Sequence, residues 1–354
     1  MRQGRAKYVF PGSNTTGGFY SFYKEGLKGM EQVFILKGGP GTGKSTLMRK
    51  IATAMLDRGY DTELWQCSSD CDSLDGVLIP ALSVAIIDGT YPHIVDPSYP
   101  GVVEEIINLG QHWNQEYLRG HKEEIIRCSL YISDNFANCY EKLAQAGALR
   151  KKEAETYQNL LDQEKLAENK DKLAQEIFEN KNSKSRHLFS SAITGQGLIS
   201  FVPTLSKNYP NRYILRSAPG CGQEEIMENI CSIAQKEGHN AYDHREIELI
   251  LLPELAIAII AEDKNNPLEI LPQDKIIHLQ EALIEEPDQA AIQALEKDIL
   301  QLTQTAAAKI HEAKTIHDDL ESFYIKAMDF EAVDFTASQV FNKILAIAAD
   351  KEKD

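Results

Sequence analysis

The feature that most constrains the fold of this chain is an internal duplication. Residues 8–60 align onto residues 187–239 without a gap, at a constant offset of 179. The two segments share 14 identical residues in 53 positions, whereas ordinary residue usage gives about 3 by chance. The similarity resumes between "VLIPALSVAIID" (77–88) and "ILLPELAIAIIA" (250–261). Because self-similarity at a fixed offset marks a repeated structural unit, we expect two related cores.

Each copy is followed by a polar tract rich in Glu, Lys, Leu, Ala and Gln. Apolar residues such as Ile125, Tyr131, Phe136 and Leu143 recur there near helical spacing, which predicts amphipathic helices. The predicted organisation is therefore a core over 1–102, a helical arm over 103–186, a second core over 187–265 and a C-terminal helical arm over 266–354.

The segment "GGPGTGKS" (38–45) matches the phosphate-binding pattern G-x-x-x-x-G-K-[ST]. The apolar run 33–37 predicts a strand before it, and an apolar helical face predicts a helix after it, closed by Gly59. In this setting glycines let backbone N–H groups surround a phosphate at the helix N-terminus. The predicted nucleotide-binding residues are Gly38, Gly39, Pro40, Gly41, Thr42, Gly43, Lys44, Ser45 and Thr46.

Two further groups complete such a site. Lys44 is expected to reach the β- and γ-phosphates, and the Ser45 hydroxyl to bind Mg²⁺. A second core strand must supply a carboxylate to the metal shell, and Asp88 ends the apolar run 82–88. The alternative for Asp88 is an aspartate that merely ends a strand at a turn. Gly89 follows it, so a general base must come from elsewhere.

Another predicted strand, 62–66, leads into the polar segment "CSSDCDSLDG" (67–76). Open α/β sheets bind ligands at the carboxyl edge of their strands. Asp70 and Asp72 are therefore candidate catalytic residues, which would orient water or accept a proton from a substrate hydroxyl. The alternative is a polar turn with side-chain caps. His93, just beyond the proposed metal strand, is a candidate for a catalytic or γ-phosphate-sensing role, with a structural loop histidine as the alternative.

The second copy lacks the groups that bind phosphate and metal. At the matching positions, Lys44 is replaced by Gln223, Ser45 by Glu224 and Asp88 by Ala261. The change puts carboxylate charge where a phosphate would lie, which argues against tight Mg·ATP binding. We expect an intramolecular pseudo-dimer in which the second copy serves packing or regulation. Arg212 or Arg216 of that copy is a candidate arginine finger for the first site, by position alone.

Composition excludes several classes of protein. The chain has 53 acidic against 37 basic residues, a net charge of −16, which argues against nucleic-acid binding. No apolar segment approaches about 18 residues, so neither a membrane span nor a signal core is expected. The six cysteines form no Cys-x-x-Cys pair. Free thiols in a reducing cytoplasm are therefore expected rather than a zinc site.

The chain resembles a family of bacterial tandem P-loop ATPases. The resemblance rests on "FPGSNTTGGFYSFY", "ILKGGPGTGKST", "CSSDCDSLDGV", "IIDGTYPHIVDP" and "HLFSSAITGQG", and it covers nearly the whole chain. It implies a cytoplasmic protein that binds and hydrolyses ATP. Members of that family often look P-loop-like in both halves, and this chain departs from them at Gln223 and Glu224.

The predicted fold is α/β, with a duplicated P-loop NTPase core (a mostly parallel sheet flanked by helices) and a long α-helical arm after each copy. The predicted function is a Mg²⁺-dependent ATPase with one active site and one pseudo-NTPase repeat. ATP is preferred over GTP because no Asn-Lys-x-Asp motif follows a late strand. Two alternatives stay open: a small-molecule or nucleoside kinase with Asp70 or Asp72 as base, and a nucleotide-gated scaffold whose arms bind a protein partner.

Overall fold

The computed structural model describes residues 3–91, 94–177, 186–237, 247–262 and 268–353. Within these residues the strands, numbered along the chain, are β1 (Ala6–Val9), β2 (Gly12–Thr15), β3 (Gly18–Ser21), β4 (Gln32–Lys37), β5 (Thr62–Gln66), β6 (Leu74–Ile79), β7 (Val84–Asp88), β8 (Glu104–Asn108), β9 (Ser191–Thr194), β10 (Gly197–Ser200), β11 (Asn211–Arg216), β12 (Leu249–Leu252), β13 (Ile257–Glu262) and β14 (Lys275–His278). The helices are α1 (Tyr23–Gly26), α2 (Lys44–Asp57), α3 (Gln115–Gly120), α4 (Lys122–Gln158), α5 (Gln163–Ile177), α6 (Val202–Ser206), α7 (Gln223–Glu237), α8 (Gln289–Ala327) and α9 (Phe330–Lys351).

The first sheet has six strands in the order β1-β5-β6-β7-β4-β8. All neighbours run parallel except β6, which is antiparallel to β5 and β7. The mixed α/β class and the mostly parallel sheet are thereby confirmed. The strand predicted over 82–88 begins only at Val84, because Pro80–Leu82 form a 3₁₀ turn.

The third sheet repeats part of this arrangement in the order β12-β13-β11-β14. Its central strand β11 lies between two parallel partners, as β4 lies between β7 and β8. The four inner residues of each central strand, 33–36 in β4 and 212–215 in β11, are buried on both faces, as in parallel sheets covered by helices.

A four-stranded antiparallel sheet, β10-β9-β2-β3, joins the two halves of the chain. Phe10 and Phe189 exchange two backbone hydrogen bonds, each 2.9 Å long, and Asn14 pairs with Ile193. In both pairs a residue meets its own counterpart at the offset of 179. Self-pairing of this kind is the arrangement that a local two-fold axis produces.

The helical arms are exchanged between the halves. Helix α9, at the end of the second half, buries Val340 and Ile344 against the first sheet, in one cluster with Phe34 and Leu36. Helix α5, in the first half, buries Leu173 and other apolar side chains in the cluster of the third sheet. The tracts predicted to form the helical arms each contain an edge strand, β8 or β14, before their long helices.

Two equivalent pairs of backbone hydrogen bonds fix this exchange. At the first sheet Asn114 N–H donates to Ala327 O and Asp329 N–H to His112 O, at 2.8 and 2.9 Å. At the third sheet the corresponding bonds, both 2.8 Å long, run from Ile284 N–H to Leu160 O and from Asp162 N–H to Ala282 O. Ala327 and Leu160 therefore occupy equivalent positions in the two arms.

Helices α4 and α8 lie side by side and antiparallel along the molecule. His121, just before α4, contacts Phe323 near the end of α8, whereas Leu143 near the middle of α4 packs with Ala306 of α8. In the described part of the chain no helix has the length and apolarity to span a membrane. All six cysteines are free thiols.

Candidate functional site

The loop between β4 and α2 has the backbone geometry that its glycines allow. Gly41 and Gly43 adopt φ of +66° and +87°, in the left-handed region that disfavours side chains. The Thr42 hydroxyl, buried at 1% exposure, donates to Gly39 O at 2.8 Å. Helix α2 begins at Lys44, so the loop ends at a helix N-terminus, where backbone N–H groups have no helical partner.

Lys44 lies at the base of the loop and is only 9% exposed. Its Nζ donates to Gly39 O at 2.7 Å and to Gly38 O at 3.2 Å, and it lies 3.6 Å from Asp88 Oδ2. The structure therefore brings together the two residues that the sequence indicated, Lys44 at the start of α2 and Asp88 at the end of β7.

Two oxygen ligands of the predicted metal site have defined partners. The Ser45 hydroxyl accepts the Leu74 N–H at 2.9 Å. Asp88 Oδ1 accepts the Thr90 N–H at 2.9 Å and the Thr90 hydroxyl. A hydroxyl and a carboxylate are the hard oxygen donors that suit Mg²⁺, which keeps water for its other positions. By their donor chemistry, Ser45 and Asp88 fit a Mg²⁺ ion.

Asp70 and Asp72 differ in surroundings. Asp70 Oδ1 accepts the Asp72 N–H at 3.1 Å, and its Oδ2 lies 3.6 Å from Lys314 Nζ of α8. The Asp72 side chain is exposed, and its carbonyl accepts from Arg49 at 2.6 Å. Asp75, from the same segment, belongs to β6 and is buried. The hydrogen bond from Asp72 N–H to Asp70 fits the predicted polar turn. The position of Asp70 after β5 also fits the predicted site at the carboxyl edge of the sheet. His93 lies outside the described residues.

Helix α8 supplies residues to this site that the sequence did not indicate. Glu321 Oε1 accepts the Gly41 N–H at 3.1 Å, and the Tyr324 ring covers Gly39. Burial raises the pKa of Tyr324. Burial opposes the charge of Lys314, but Asp318 and Asp70 outweigh it and raise the pKa of this amine. The amphipathic pattern of the arm gave no signal for these contacts, because it does not say which surface a helix covers.

The matching loop of the second half is closed by its own side chains. Gln223 Oε1 accepts the Ser217 hydroxyl at 2.6 Å, and Glu224 Oε1 lies 3.4 Å from Gly220 N. Gln223 thus places a neutral group, already hydrogen-bonded within the loop, at the position that corresponds to Lys44.

The two arginines considered as fingers for the first site are engaged elsewhere. Arg212 is 2% exposed and pairs with Asp274 at 3.1 Å. Arg216 pairs with Glu262 at 2.5 Å, at the end of β13. Both ion pairs lie within the second half of the chain. The part of the chain that the structure describes therefore shows no contact between either arginine and loop 38–45 that would support an arginine-finger role.

Comparisons of the chain with protein-family models, curated proteins and solved structures give no match. Arguments about function therefore depend on the loop, its lysine and the carboxylates around them. The resemblance to tandem P-loop ATPases stays an expectation from the sequence.

Proposed function

We propose that the protein binds Mg·ATP at loop 38–45 and hydrolyses its terminal phosphoanhydride bond. The observation that carries the proposal is the approach of Lys44 Nζ to Asp88 Oδ2, 3.6 Å apart, at the base of a glycine loop that opens a helix. Lysine, metal carboxylate and converging backbone N–H groups are the parts that phosphoryl transfer at a P-loop requires.

Each residue has a separate role in the proposal. Lys44 exchanges the carbonyls of Gly38 and Gly39 for phosphate oxygens, and the loop N–H groups hold the phosphates. Ser45 coordinates Mg²⁺ directly, and Asp88 holds the metal shell. When bound, the metal ion neutralises charge that develops on the transferred phosphoryl group. Asp70, in the segment between β5 and β6, is the candidate for orienting the attacking water.

In this proposal the fold is a duplicated P-loop NTPase core arranged as an intramolecular pseudo-dimer. The equivalent surroundings of β4 and β11 and the self-pairing of Phe10 with Phe189 support it. The second core is a pseudo-NTPase, because Gln223 and Glu224 already occupy its loop.

One observation favours a kinase as a second candidate. Asp70 is close to Lys314 of an arm that covers the loop, an arrangement in which the arm would act as a lid over an acceptor hydroxyl. A protein partner for the arms has weaker support, from the exposed apolar residues Ile126, Leu130 and Tyr131 of α4.

Phosphate release by the purified protein in Mg·ATP, with no acceptor added, distinguishes the two reactions. The ATPase proposal predicts release that Lys44→Ala abolishes and that Asp70→Asn lowers about a hundredfold. Asp72→Asn, with an exposed side chain, is the matched control and should change turnover little. ADP production that requires an added acceptor hydroxyl, with the phosphoryl group transferred to that acceptor and no phosphate released, would support the kinase and contradict the ATPase.

A further inference from the structure

Helix α8, which comes from the second half, covers the loop of the first half. Three contacts define the cover: the Gly41 N–H to Glu321 Oε1, at 3.1 Å, the Tyr324 ring against Gly39, and the Glu321 carbonyl against Gly41. A Cβ on Gly39 would lie 2.6 Å from the Tyr324 ring, and one on Gly41 would lie 2.9 Å from Glu321 O. The absence of a Cβ on Gly39 and Gly41 therefore allows the helix to approach the loop backbone closely.

The Glu321 carboxylate uses a donor that the proposed function assigns to phosphate. Backbone N–H groups of such a loop bind anions, and Glu321 presents an anion to one of them. A single N–H cannot serve both groups at full strength, and the two negative charges repel each other. Lys44 is also occupied in this arrangement, since it donates to the carbonyls of Gly38 and Gly39.

In the second half, a helix of the other arm approaches the matching loop in the same way, but it brings no carboxylate. Glu321 lies six residues before the anchoring Ala327, and Ala154 lies six before the equivalent Leu160. The Ala154 carbonyl approaches Gly220 as the Glu321 carbonyl approaches Gly41. Alanine brings no carboxylate there. Glu224, in the adjoining helix α7, approaches the Gly220 N–H instead. The first loop thus receives its carboxylate from a helix of the other half of the chain.

We propose that α8 autoinhibits the first loop and that Glu321 is the group a nucleoside triphosphate must displace. The inference rests on the proposed ATP site and adds its regulation. The apparent affinity for ATP is lowered by the fraction of molecules in which α8 covers the loop.

Glu321→Ala and Glu321→Gln test the proposal, with Asp319→Ala as the control. Asp319 is an exposed carboxylate two residues away on the same helix, so its replacement makes the same change of net charge. The measurement is the dissociation constant for Mg·ATP, followed by steady-state phosphate release. We expect Glu321→Ala to bind about tenfold more tightly, as the loss of one charge-assisted hydrogen bond predicts. Glu321→Gln, which keeps an acceptor oxygen without the charge, should fall between, and Asp319→Ala should match the native protein.

Three other outcomes of the Glu321→Ala measurement would each overturn the proposal. Native affinity in Glu321→Ala, with native turnover, would overturn the autoinhibition and leave the ATP site intact. Native affinity with lost turnover would make Glu321 a participant in the reaction instead, which also overturns it. If neither the native protein nor Glu321→Ala binds ATP, the proposed function fails and the inference fails with it. Because alanine favours helix and Glu321 is partly exposed, we expect the variants to fold. A thermal unfolding scan of each variant checks this expectation.

Discussion

The exchange of helical arms predicts that a cavity in one repeat loosens the core of the other. Ile344 of α9 is fully buried in the cluster of the first sheet. Ile344→Ala removes three carbon atoms, which costs about 2.4 kcal/mol at about 0.8 kcal/mol per buried methylene. The residual cavity brings the total to about 3 kcal/mol. A loss of stability of this size raises the equilibrium constant for local opening roughly a hundredfold.

Native-state hydrogen exchange, measured by mass spectrometry, shows which strands lose stability in the variant. In Ile344→Ala, amides of β4 and β7 should exchange roughly a hundredfold faster, while those of β11 and β13 keep their protection. Leu173→Ala, in the exchanged helix α5, should do the reverse. Asn342→Ala, exposed on α9, is the control. If Ile344→Ala loosened β11 and β13 while β4 stayed protected, the exchange of arms would be refuted.

Two further predictions concern the contacts that hold the halves in place. Burial opposes the charge of Glu63, but Arg186 and Lys7 outweigh it and keep the pKa of this carboxyl below its ordinary 4.5. A lowered folded-state pKa stabilises the protein above pH 4.5 and loses that effect as pH falls. The stability of Glu63→Gln, from urea denaturation, should therefore depend less on pH below 4.5 than that of the native protein; equal slopes would contradict the ion pair. Gly220→Ala puts a Cβ 2.2 Å from the Ala154 carbonyl at a φ of +80°. It should lower the melting temperature by several degrees, and an unchanged value would argue against this close approach.

Much of the first core could be predicted from local patterns. The strand predicted over 62–66 matches β5, and the predicted helix begins at Lys44 because a glycine-rich turn precedes an apolar helical face. These features depend on neighbouring residues, so the sequence encodes them directly. The same applies to the altered second loop, where Gln223 and Glu224 are visible substitutions at a fixed offset.

The arrangement of the arms could not be predicted. Val340 and Ile344 mark an apolar helical face, but such a face is compatible with either sheet, and partner choice depends on the whole fold. Strand β6 was missed because its first residues, Leu74 and Asp75, belong to a segment that reads as a polar turn. Glu321 was missed for a related reason, since an acidic residue on a polar helix is ordinary until its neighbour across 280 residues is known.

Calorimetric titration with Mg·ATP tests the central claim most directly. The account predicts one nucleotide per chain, bound at loop 38–45. Lys44→Ala should abolish the binding, because it removes the cation that approaches Asp88 at the base of that loop. Gln223→Ala, the matched change in the second loop, should leave affinity and stoichiometry as they are. Normal binding of Mg·ATP by Lys44→Ala would contradict the account.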